Sequence, residues 1–291
     1  MIRTDDFKIK VERELHKGRS LSTIVEILQR AQRLITSENS SIHELANIVA
    51  SDAVLTANVL KMVNSAFFGV ERKIHSIEEA VVLLGISHLR DLFSGIMLSS
   101  AIKEYSHETF DMSALWRHSL GTAVAADYMK ASGICHTNTD MHMAGLLCNI
   151  GRLVLSQRFP EEFDQIIALS RSDHIRMIDA EIRVLGVSHA EVGFWAAEYW
   201  NFDAAIAHLI KWHHGPSTSR EIDCLNLAYV VTHAKLIGNP GDHMLTRMIP
   251  GVLKRLELDE FKLSDLLKKL TDSYAALQWI FRYVPGNESE I

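Results

Sequence analysis

The stretch MHMAGLLCNIGRLVL, residues 141–155, decides the fold class because its apolar residues return at intervals of three and four. That spacing places them along one face of an α-helix. Asp140 precedes the stretch and is a suitable N-cap, because a short carboxylate accepts hydrogen bonds from the free amides of a first turn. The pattern predicts one helix that continues through Cys148 and Asn149. Its predicted buried face contains Met143, Leu146, Leu147, Ile150, Val154 and Leu155.

The same helical period recurs along the chain. Residues 21–35 carry apolar side chains on one predicted helix face, and the region from Leu256 to Leu270 does the same beside a charged outer face. No stretch alternates apolar and polar residues between turn signals, as a half-buried strand would. The fold class is therefore predicted to be all-α. One more predicted helix has Ser113 as its N-cap and carries Trp116, Leu120, Ala123 and Val124.

Helix starts and loops can also be predicted from short polar motifs. A Ser-x-x-Glu pair has capping-box spacing, in which the hydroxyl and the carboxylate each accept a hydrogen bond from a first-turn amide. Such pairs are Ser41 with Glu44, Ser76 with Glu79, and Ser188 with Glu191. Clusters of glycine, proline and small polar residues predict loops at 131–140, 215–221 and 238–243. The tail VPGNESEI is predicted to fray.

Length and composition restrict the class of protein. A chain of 291 residues with 47% hydrophobic and 23% charged residues is expected to form about two folding units with a large core. The N-terminus lacks the apolar segment of a signal peptide, and no apolar run approaches the ~18 residues of a membrane helix. The three cysteines form no Cys-x-x-Cys pair, which favours reduced thiols. A cytoplasmic location and no membrane partner are expected.

Nucleic-acid binding is not favoured. The net charge of −6 gives no broadly basic surface. Residues 41–67 resemble a helix-turn-helix superficially, but between Asp52 and Asn64 only Lys61, Asn58 and Asn64 have side chains suited to phosphates or base edges. Asn64 and Ser65 are instead interpreted as capping or turn residues whose side chains bind backbone groups of the next loop.

Histidine is the unusual component of the composition, with 15 in the chain. Four of them lie in helical or capping contexts from which they could converge: His118, His189, His213 and His214. Neutral imidazole binds Zn, Fe, Mn or Ni, but phosphoester hydrolysis usually also needs carboxylates, which hold the cations and help to deprotonate a bound water. Those carboxylates are missing from the motifs. On residue type alone, buried histidines that hydrogen bond within the core are the commoner explanation.

Two contiguous segments carry a family resemblance. SDAVLTANVLKMVNSAFFG (51–69) and KIHSIEEAVVLLGISHLRDL (73–92) resemble the signature of the HDOD family. From His118 to about residue 237 the chain resembles the HD core of the HD and HD-GYP phosphohydrolases, to which HDOD proteins are related. The similarity covers roughly residues 15–240. One departure is that GRSLSTIVEIL lacks the prolines that often precede the first helix of the family.

The resemblance gives expectations for individual residues. His118 matches the first metal ligand of the active relatives, and His189, His213 and His214 match further histidines of their sites. Cys148 and Asn149 stand where the His-Asp pair would be. Arg152 stands where a lysine often follows, and Thr232 or His233 where a final aspartate would be. Both expected carboxylates are therefore replaced, which makes a two-metal centre that generates hydroxide improbable. No catalytic residue, cofactor or required metal is expected.

The resemblance also implies an architecture. An HDOD-specific helical subdomain, residues 1–110, is expected to pack against an HD-like helical core, residues 111–240, with C-terminal helices and the tail in 241–291. The implied function is that of a non-catalytic bacterial regulatory protein in signal transduction, which acts through protein partners. Its partners, its signal and its oligomeric state do not follow from the sequence.

Two alternative functions stay open. The first is a metal-dependent phosphohydrolase with an atypical ligand set, in which a single Zn or other divalent ion is held by His118, Cys148, His189 and either His213 or His214. A metal-free pocket that holds a small anion against Arg152 and the histidines is a variant of this idea. The second alternative is a nucleotide or nucleic-acid binding module without chemistry.

Overall fold

The structure is a computed structural model, and it describes residues 4–17, 46, 50, 53–64, 70, 72–85, 91 and 107–283. The regular secondary structure of these residues is helical, and the β structure among them is an isolated bridge between His107 and Phe110. The all-α prediction is confirmed. No helix in these ranges is both long enough and apolar enough to cross a bilayer. The predicted helix in 21–35, the Ser41–Glu44 pair and the tail after 283 lie outside the described residues.

The helices of the described part of the chain are named here in chain order. They are α1 (Thr4–Lys17), α2 (Ala53–Val63), α3 (77–85), α4 (Met112–Ala131), α5 (Met141–Leu147), α6 (Ile150–Arg158), α7 (Pro160–Ser172), α8 (Met177–Leu185), α9 (His189–Tyr199), α10 (Ala204–Trp212), α11 (Arg220–Ala234), α12 (Val252–Arg255) and α13 (Glu260–Tyr283). The three predicted loops fall between helices or at helix ends.

The chain divides into two compact units whose limits differ from the predicted ones. The first contains Met1–Ser22 and Glu104–Tyr274, and the second contains Thr23–Lys103 and Ala275–Ile291. The predicted 1–110 subdomain is thus split, because α1 packs in the first unit against α9 and α6. The buried face of α1 is formed by Phe7, Val11 and Leu15, and the Phe7 ring lies 5.0 Å from that of Phe159. Because these three residues are four positions apart, their side chains lie on the same side of the helix.

In the second unit, Asn64 ends α2 as the sequence indicated. Its side-chain amide donates to the carbonyls of Leu60 and Ile74, each at 2.7 Å, and its carbonyl oxygen accepts from the Ile74 amide at 2.7 Å. The predicted capping role is confirmed for Asn64, while Ser65 lies outside the described residues. Ser76 accepts from the Glu79 amide at 3.4 Å.

The first unit contains the candidate site, and several of its helices begin at a short polar residue that caps them. Asp140 accepts from the Met143 amide, and Ser188 with Glu191 forms both bonds of a capping box, so these predictions are confirmed. The predicted N-cap Ser113 is wrong. Asp111 caps α4 instead and accepts from the Ala114 amide at 2.8 Å, because the longer acceptor two residues earlier reaches the free amides.

The predicted continuous helix over 141–155 is also wrong. It is divided into α5 and α6 by Cys148 and Asn149, and the Arg152 amide donates to the Asn149 carbonyl at 3.0 Å in the first turn of α6. The Asn149 side chain forms no capping bond, because buried side chains bind it. Apolar residues continue at helical spacing from α5 into α6. The sequence pattern therefore did not show where one helix ends and the next begins.

Close helix packing at Gly151 places α6 against the start of α9. A Cβ atom on Gly151 would lie 1.9 Å from the His189 carbonyl oxygen and 2.7 Å from the Gly193 nitrogen. Backbone atoms cannot move aside as a flexible side chain can, so this contact requires glycine. The approach brings the residues that precede Gly151 close to His189.

Candidate functional site

The candidate site lies in the first unit, where residues from four parts of the chain meet. His118 comes from α4, His189 is the first residue of α9, and His213 and His214 follow α10. Cys148 and Asn149 connect α5 to α6. His118, Cys148, Asn149, His189 and His213 are buried, and His214 is partly exposed. The structure therefore brings the histidines into one region, as the resemblance implied.

Three of the histidines form one cluster. Ligand nitrogens of His189, His213 and His214 lie within 4.8 Å of one another, and the Nε2 atoms of His189 and His214 are 3.3 Å apart. The group contains no carboxylate among the described residues. Three neutral imidazoles are a ligand set that Zn and similar divalent ions accept.

Two acceptors orient this cluster. The Glu181 carboxylate accepts from the His189 backbone amide at 2.7 Å and from His189 Nδ1 at 2.6 Å. The Ile210 carbonyl accepts from His213 Nδ1 at 2.7 Å. A proton on each Nδ1 leaves a lone pair on the Nε2 of that ring: His189 Nε2 accepts from His214 Nε2, and His213 Nε2 is buried without a hydrogen-bond partner. A carboxylate or carbonyl behind a histidine is the usual arrangement around a metal ligand. The donor set therefore fits a metal ion.

Burial keeps these histidines neutral. Desolvation lowers the pKa of His213 to about 4, and it holds the pKa values of His189 and His214 well below their usual range. The charge of Arg152 acts in the same direction on all three. Desolvation also lowers the pKa of His118 strongly. Neutral imidazole is the form that binds a metal or packs in a core.

His118 lies apart from the cluster, and both of its ring nitrogens are used. Its Nε2 lies 3.3 Å from the Tyr229 carbonyl, which can only accept, so Nε2 carries the proton. Its Nδ1 then accepts from the Asn149 amide at 3.4 Å. The ligand set of His118, Cys148, His189 and one further histidine is therefore not assembled in the described structure.

Cys148 and Asn149 are bound internally. The Cys148 thiol donates to the Gly145 carbonyl at 3.0 Å, and burial raises the pKa of this thiol, which keeps it protonated. The Asn149 amide also donates to Ser119 Oγ at 3.2 Å, and its carbonyl oxygen accepts from the Tyr229 hydroxyl at 3.2 Å. The two residues that the resemblance places at the His-Asp position thus have their polar atoms bound within the protein.

Tyr229 is the central residue that sequence reasoning missed. Its buried ring lies 4.3 Å from the His118 ring, 5.3 Å from that of His213 and 4.9 Å from that of His214, measured between centroids. It therefore separates His118 from the three-histidine cluster. Its position in the apolar sequence of α11 resembles ordinary core packing, so no local signal distinguished it.

Arg152 is buried in a network of its own. Its Nε donates to Glu181 at 2.8 Å, its guanidinium donates to the Pro240 carbonyl, and it lies 3.7 Å from the Asp242 carboxylate. The side chains of Arg152 and Glu181 are both fully buried. An anion held by Arg152 stays a prediction, because Glu181 and the Pro240 carbonyl take its Nε and Nη1 while its buried Nη2 has no hydrogen-bond partner. Glu181 and Asp242 were also missed, since each is distant in sequence from Arg152.

The two candidates for the final aspartate position serve different roles. Thr232 Oγ1 donates to the Ala228 carbonyl at 2.7 Å and lies 2.7 Å from the Tyr274 hydroxyl. His233 Nδ1 lies 3.1 Å from Thr246 Oγ1, and the His233 ring is 5.8 Å from that of His118. Neither residue joins the three-histidine cluster.

The fold and this site define an all-α protein with an HD-like fold and a buried pocket lined by histidines. The profile of the HDOD domain family matches residues 21–216, and the chain belongs to the HDOD family. The resemblance inferred from residues 51–92 is thus confirmed.

Solved structures agree with this assignment. An HDOD domain protein of unknown function from Geobacter sulfurreducens is 26% identical, with a TM-score of 0.68 over 89% of this chain and 90% of that one. A Marinobacter aquaeolei VT8 protein, for which a role in signal transduction has been suggested, is 22% identical, with a TM-score of 0.70 over 97% of this chain and 67% of that one. A Shewanella amazonensis SB2B protein, for which phosphohydrolase activity has been suggested, is 21% identical, with a TM-score of 0.63 over 91% of this chain and 97% of that one. The similarity of this chain to the Marinobacter and Shewanella proteins shows a shared fold and nothing about function.

A curated relative from Treponema pallidum (strain Nichols), a protein of uncharacterised function, is 27% identical over 188 residues. The match covers 64% of this chain but only 36% of that protein. The chain therefore spans about a third of the length of this relative.

Proposed function

We propose that this HDOD protein is a non-catalytic regulator in signal transduction that acts through protein partners. The observation that carries the proposal is the closed network at Cys148 and Asn149. Asn149 has the shape of an aspartate without its charge, and its bonds to His118, Ser119 and Tyr229 use its polar atoms. A carboxylate is what a metal-activated water would need at this position.

The position of Tyr229 supports the same proposal. Two cations that share a water would require the space between His118 and the other histidines, and the Tyr229 ring lies there. The signal-transduction role suggested for the Marinobacter aquaeolei protein, which has the same fold, is consistent with a regulatory function for this one.

A turnover assay tests this function. Purified protein is incubated with phosphomonoester and phosphodiester substrates, including cyclic dinucleotides, in the presence of Mn, Fe, Zn or Ni. We expect rates equal to those of the His118→Ala variant and the buffer, because the described histidine cluster includes no carboxylate and Asn149 carries no charge. Turnover that vanishes in His118→Ala would contradict the proposal.

Complementation gives a second readout. A strain that lacks the protein should regain its phenotype equally with the wild type and with folded His189→Ala. If the folded variant fails, the histidine cluster has an active role and a purely non-catalytic function is excluded.

The three-histidine cluster supports a second candidate function, that of a metal-dependent phosphohydrolase. His189, His213 and His214 would hold a single divalent ion, and Glu181 would fix the orientation of His189. Such an ion supplies Lewis acidity and a bound water of lowered pKa. This candidate requires that the protein bind a metal at this cluster.

Metal content separates the possible ligand sets. After incubation with Zn, Mn, Fe or Ni and desalting, mass spectrometry should find about one ion per chain if the cluster binds metal. His189→Ala should then lose the ion, whereas His118→Ala and Cys148→Ala should keep it, because His118 and Cys148 are bound elsewhere. Loss in Cys148→Ala with retention in His189→Ala would contradict the three-histidine assignment.

A nucleotide or nucleic-acid binding function has less support. In the described residues of α2, the charged side chain is Lys61, which is too little for phosphate contacts along a duplex. Titration with labelled duplex at low and at physiological salt tests this alternative, because binding that depends on a few phosphate contacts disappears as salt rises.

A further inference from the structure

A surface pocket of about 210 Å³ lies in the first unit, apart from the candidate site. Its walls are the start of α4, the end of α7, the start of α8 and the loop 239–243. None of the residues that line it is a histidine of the candidate site. The pocket is therefore separate from the three-histidine cluster.

The floor of this pocket is apolar and its rim is polar. Four side chains, each less than a tenth exposed, form the floor: Phe110, Ala114, Ile167 and Met177. The rim includes two exposed basic residues, Arg171 and His243. A buried apolar surface beside a few polar groups is the usual composition of a site for a small organic molecule.

Arg171 gives the rim a positive charge. Its Nη2 donates to the Thr109 carbonyl at 2.9 Å, which holds the guanidinium beside the pocket, and no carboxylate of the described residues forms an ion pair with it. The carboxylate of the rim, Asp111, is already bound. One of its oxygens accepts from the Ala114 amide at 2.8 Å, and the other lies 3.5 Å from Arg117 Nη2. A ligand that complements this pocket is therefore an anion.

We propose that this pocket binds a small aromatic carboxylate, with its ring on the apolar floor and its carboxylate at Arg171. The planar guanidinium presents paired N–H donors that match the two oxygens of a carboxylate. An aromatic ring packs favourably against the ring of Phe110 and the sulfur of Met177. The volume of about 210 Å³ is below the ~300 Å³ at which sites for drug-sized ligands begin, so the ligand has one ring and a short acidic chain.

The loop 239–243 joins this pocket to the Arg152 network. Three of its residues line the pocket: Asn239, Gly241 and His243. The two residues between them bind elsewhere. The Pro240 carbonyl accepts from Arg152, and Asp242 accepts from the Met177 amide at the start of α8. Alternate residues of one short loop thus serve the pocket and the buried network.

A ligand that holds this loop also holds the surroundings of the three-histidine cluster. Arg152 donates to Glu181, and Glu181 accepts from the backbone amide and from Nδ1 of His189. Asp242 binds the first residue of α8, the helix that carries Glu181. An input role for the pocket rests on the proposed regulatory function, whereas binding of the carboxylate does not.

Calorimetric titration of the full-length protein tests the binding site. The probes are benzoate, phenylacetate and 3-phenylpropanoate, and each is compared with its neutral amide. We expect one saturable site for at least one of these acids. The matching amide should bind about tenfold more weakly, because it forms no charge-assisted pair with Arg171. Hydrogen exchange followed by mass spectrometry should show slower exchange in the loop 239–243 and at the start of α8 when the acid is bound.

Two arginine variants locate the site. Arg171→Gln should weaken binding of the acid about tenfold and remove the preference for the acid over the amide. Arg171 is exposed, so the folded protein should tolerate the change. Arg183→Gln is the matched control and should bind as the wild type does, because Arg183 is also exposed, pairs with Asp173 and does not line the pocket.

Several results would overturn the proposal. The first is no saturable binding of any of the three acids up to about 10 mM, where even a Kd of about 1 mM gives near-saturation. The others are equal binding of acid and amide, unchanged binding in Arg171→Gln, and tight binding of inorganic phosphate in place of the acids. Slower exchange in the loop without any change in α8 would exclude the input role. None of these measurements uses turnover or a metal, so they fail or succeed independently of the assays of the proposed function.

Discussion

Acidification from pH 7 to pH 5 should strongly lower the free energy of unfolding of the metal-free protein. The physical cause is the set of buried neutral histidines. Desolvation holds the pKa of His213 at about 4, and the pKa values of His118, His189 and His214 are also well below 6.5. In the unfolded chain these side chains regain ordinary pKa values near 6.5.

The sign of the effect follows from proton binding. Below about pH 6.5 the unfolded chain takes up protons that the folded protein excludes, so acid favours unfolding. For His213 this costs about 2 kcal/mol at pH 5, and the loss continues until the pH approaches the folded pKa of about 4. Four such groups set an upper bound of roughly 8 kcal/mol, comparable to the whole stability of a typical domain. Burial raises the pKa of Glu181, which acts in the opposite sense but concerns one group.

Urea unfolding at several pH values, in the presence of a chelator, measures this dependence. His213→Gln should flatten the pH profile by about 2 kcal/mol between pH 7 and pH 5. His136→Gln, at an exposed histidine, is the matched control and should leave the profile unchanged. A free energy of unfolding that stays constant from pH 7 to pH 5 would show that the histidines are not held neutral.

Replacement of Arg152 by methionine is expected to lower the free energy of unfolding by about 3–5 kcal/mol at pH 7. The substitution keeps a long apolar stem but removes the charge that balances Glu181 and Asp242. Arg152 and Glu181 are fully buried and joined by a 2.8 Å bond. Without its partner the Glu181 carboxylate becomes an uncompensated buried charge, which is far more costly than loss of a surface pair.

Arg183→Met is the matched control for this change. Arg183 pairs with Asp173 at 3.0 Å, but the two side chains are 55% and 43% exposed, so the cost should be below about 1 kcal/mol. The double variant Arg152→Met with Glu181→Gln should be more stable than the sum of the single effects predicts, because the charge left by the first change is removed by the second. Equal losses for Arg152→Met and Arg183→Met, or strict additivity in the double variant, would contradict a buried ion pair.

The helical class and much of the site could be predicted from the sequence. Apolar spacing predicted helices that the structure contains, and Asp140 and Ser188 were predicted as caps from the short-range bonds that their side chains can form. The family was predicted from a contiguous signature. Helix formation and helix capping depend on residues that are close together in the sequence. The spacing of residue types therefore predicts them.

The predictions were wrong where two local arrangements of the chain both fit the sequence. Asp111 and Ser113 both suit an N-cap, and the choice depends on where the preceding chain enters α4. The apolar face of 141–155 fits one helix or two, and the buried bonds of Asn149 accompany the break. The contacts of helix α1 with α9 and α6 were not predicted, because an apolar face shows that a helix is buried but not against which partner.

The sequence by itself determined the all-α fold class and membership of the HDOD family. Only the tertiary structure decided which residues act together. It grouped His189 with His213 and His214, placed Tyr229 beside them, and joined Arg152 to Glu181. These contacts join residues distant in sequence and depend on how helices cross and how closely glycine lets them approach, which hydrophobic period alone does not specify.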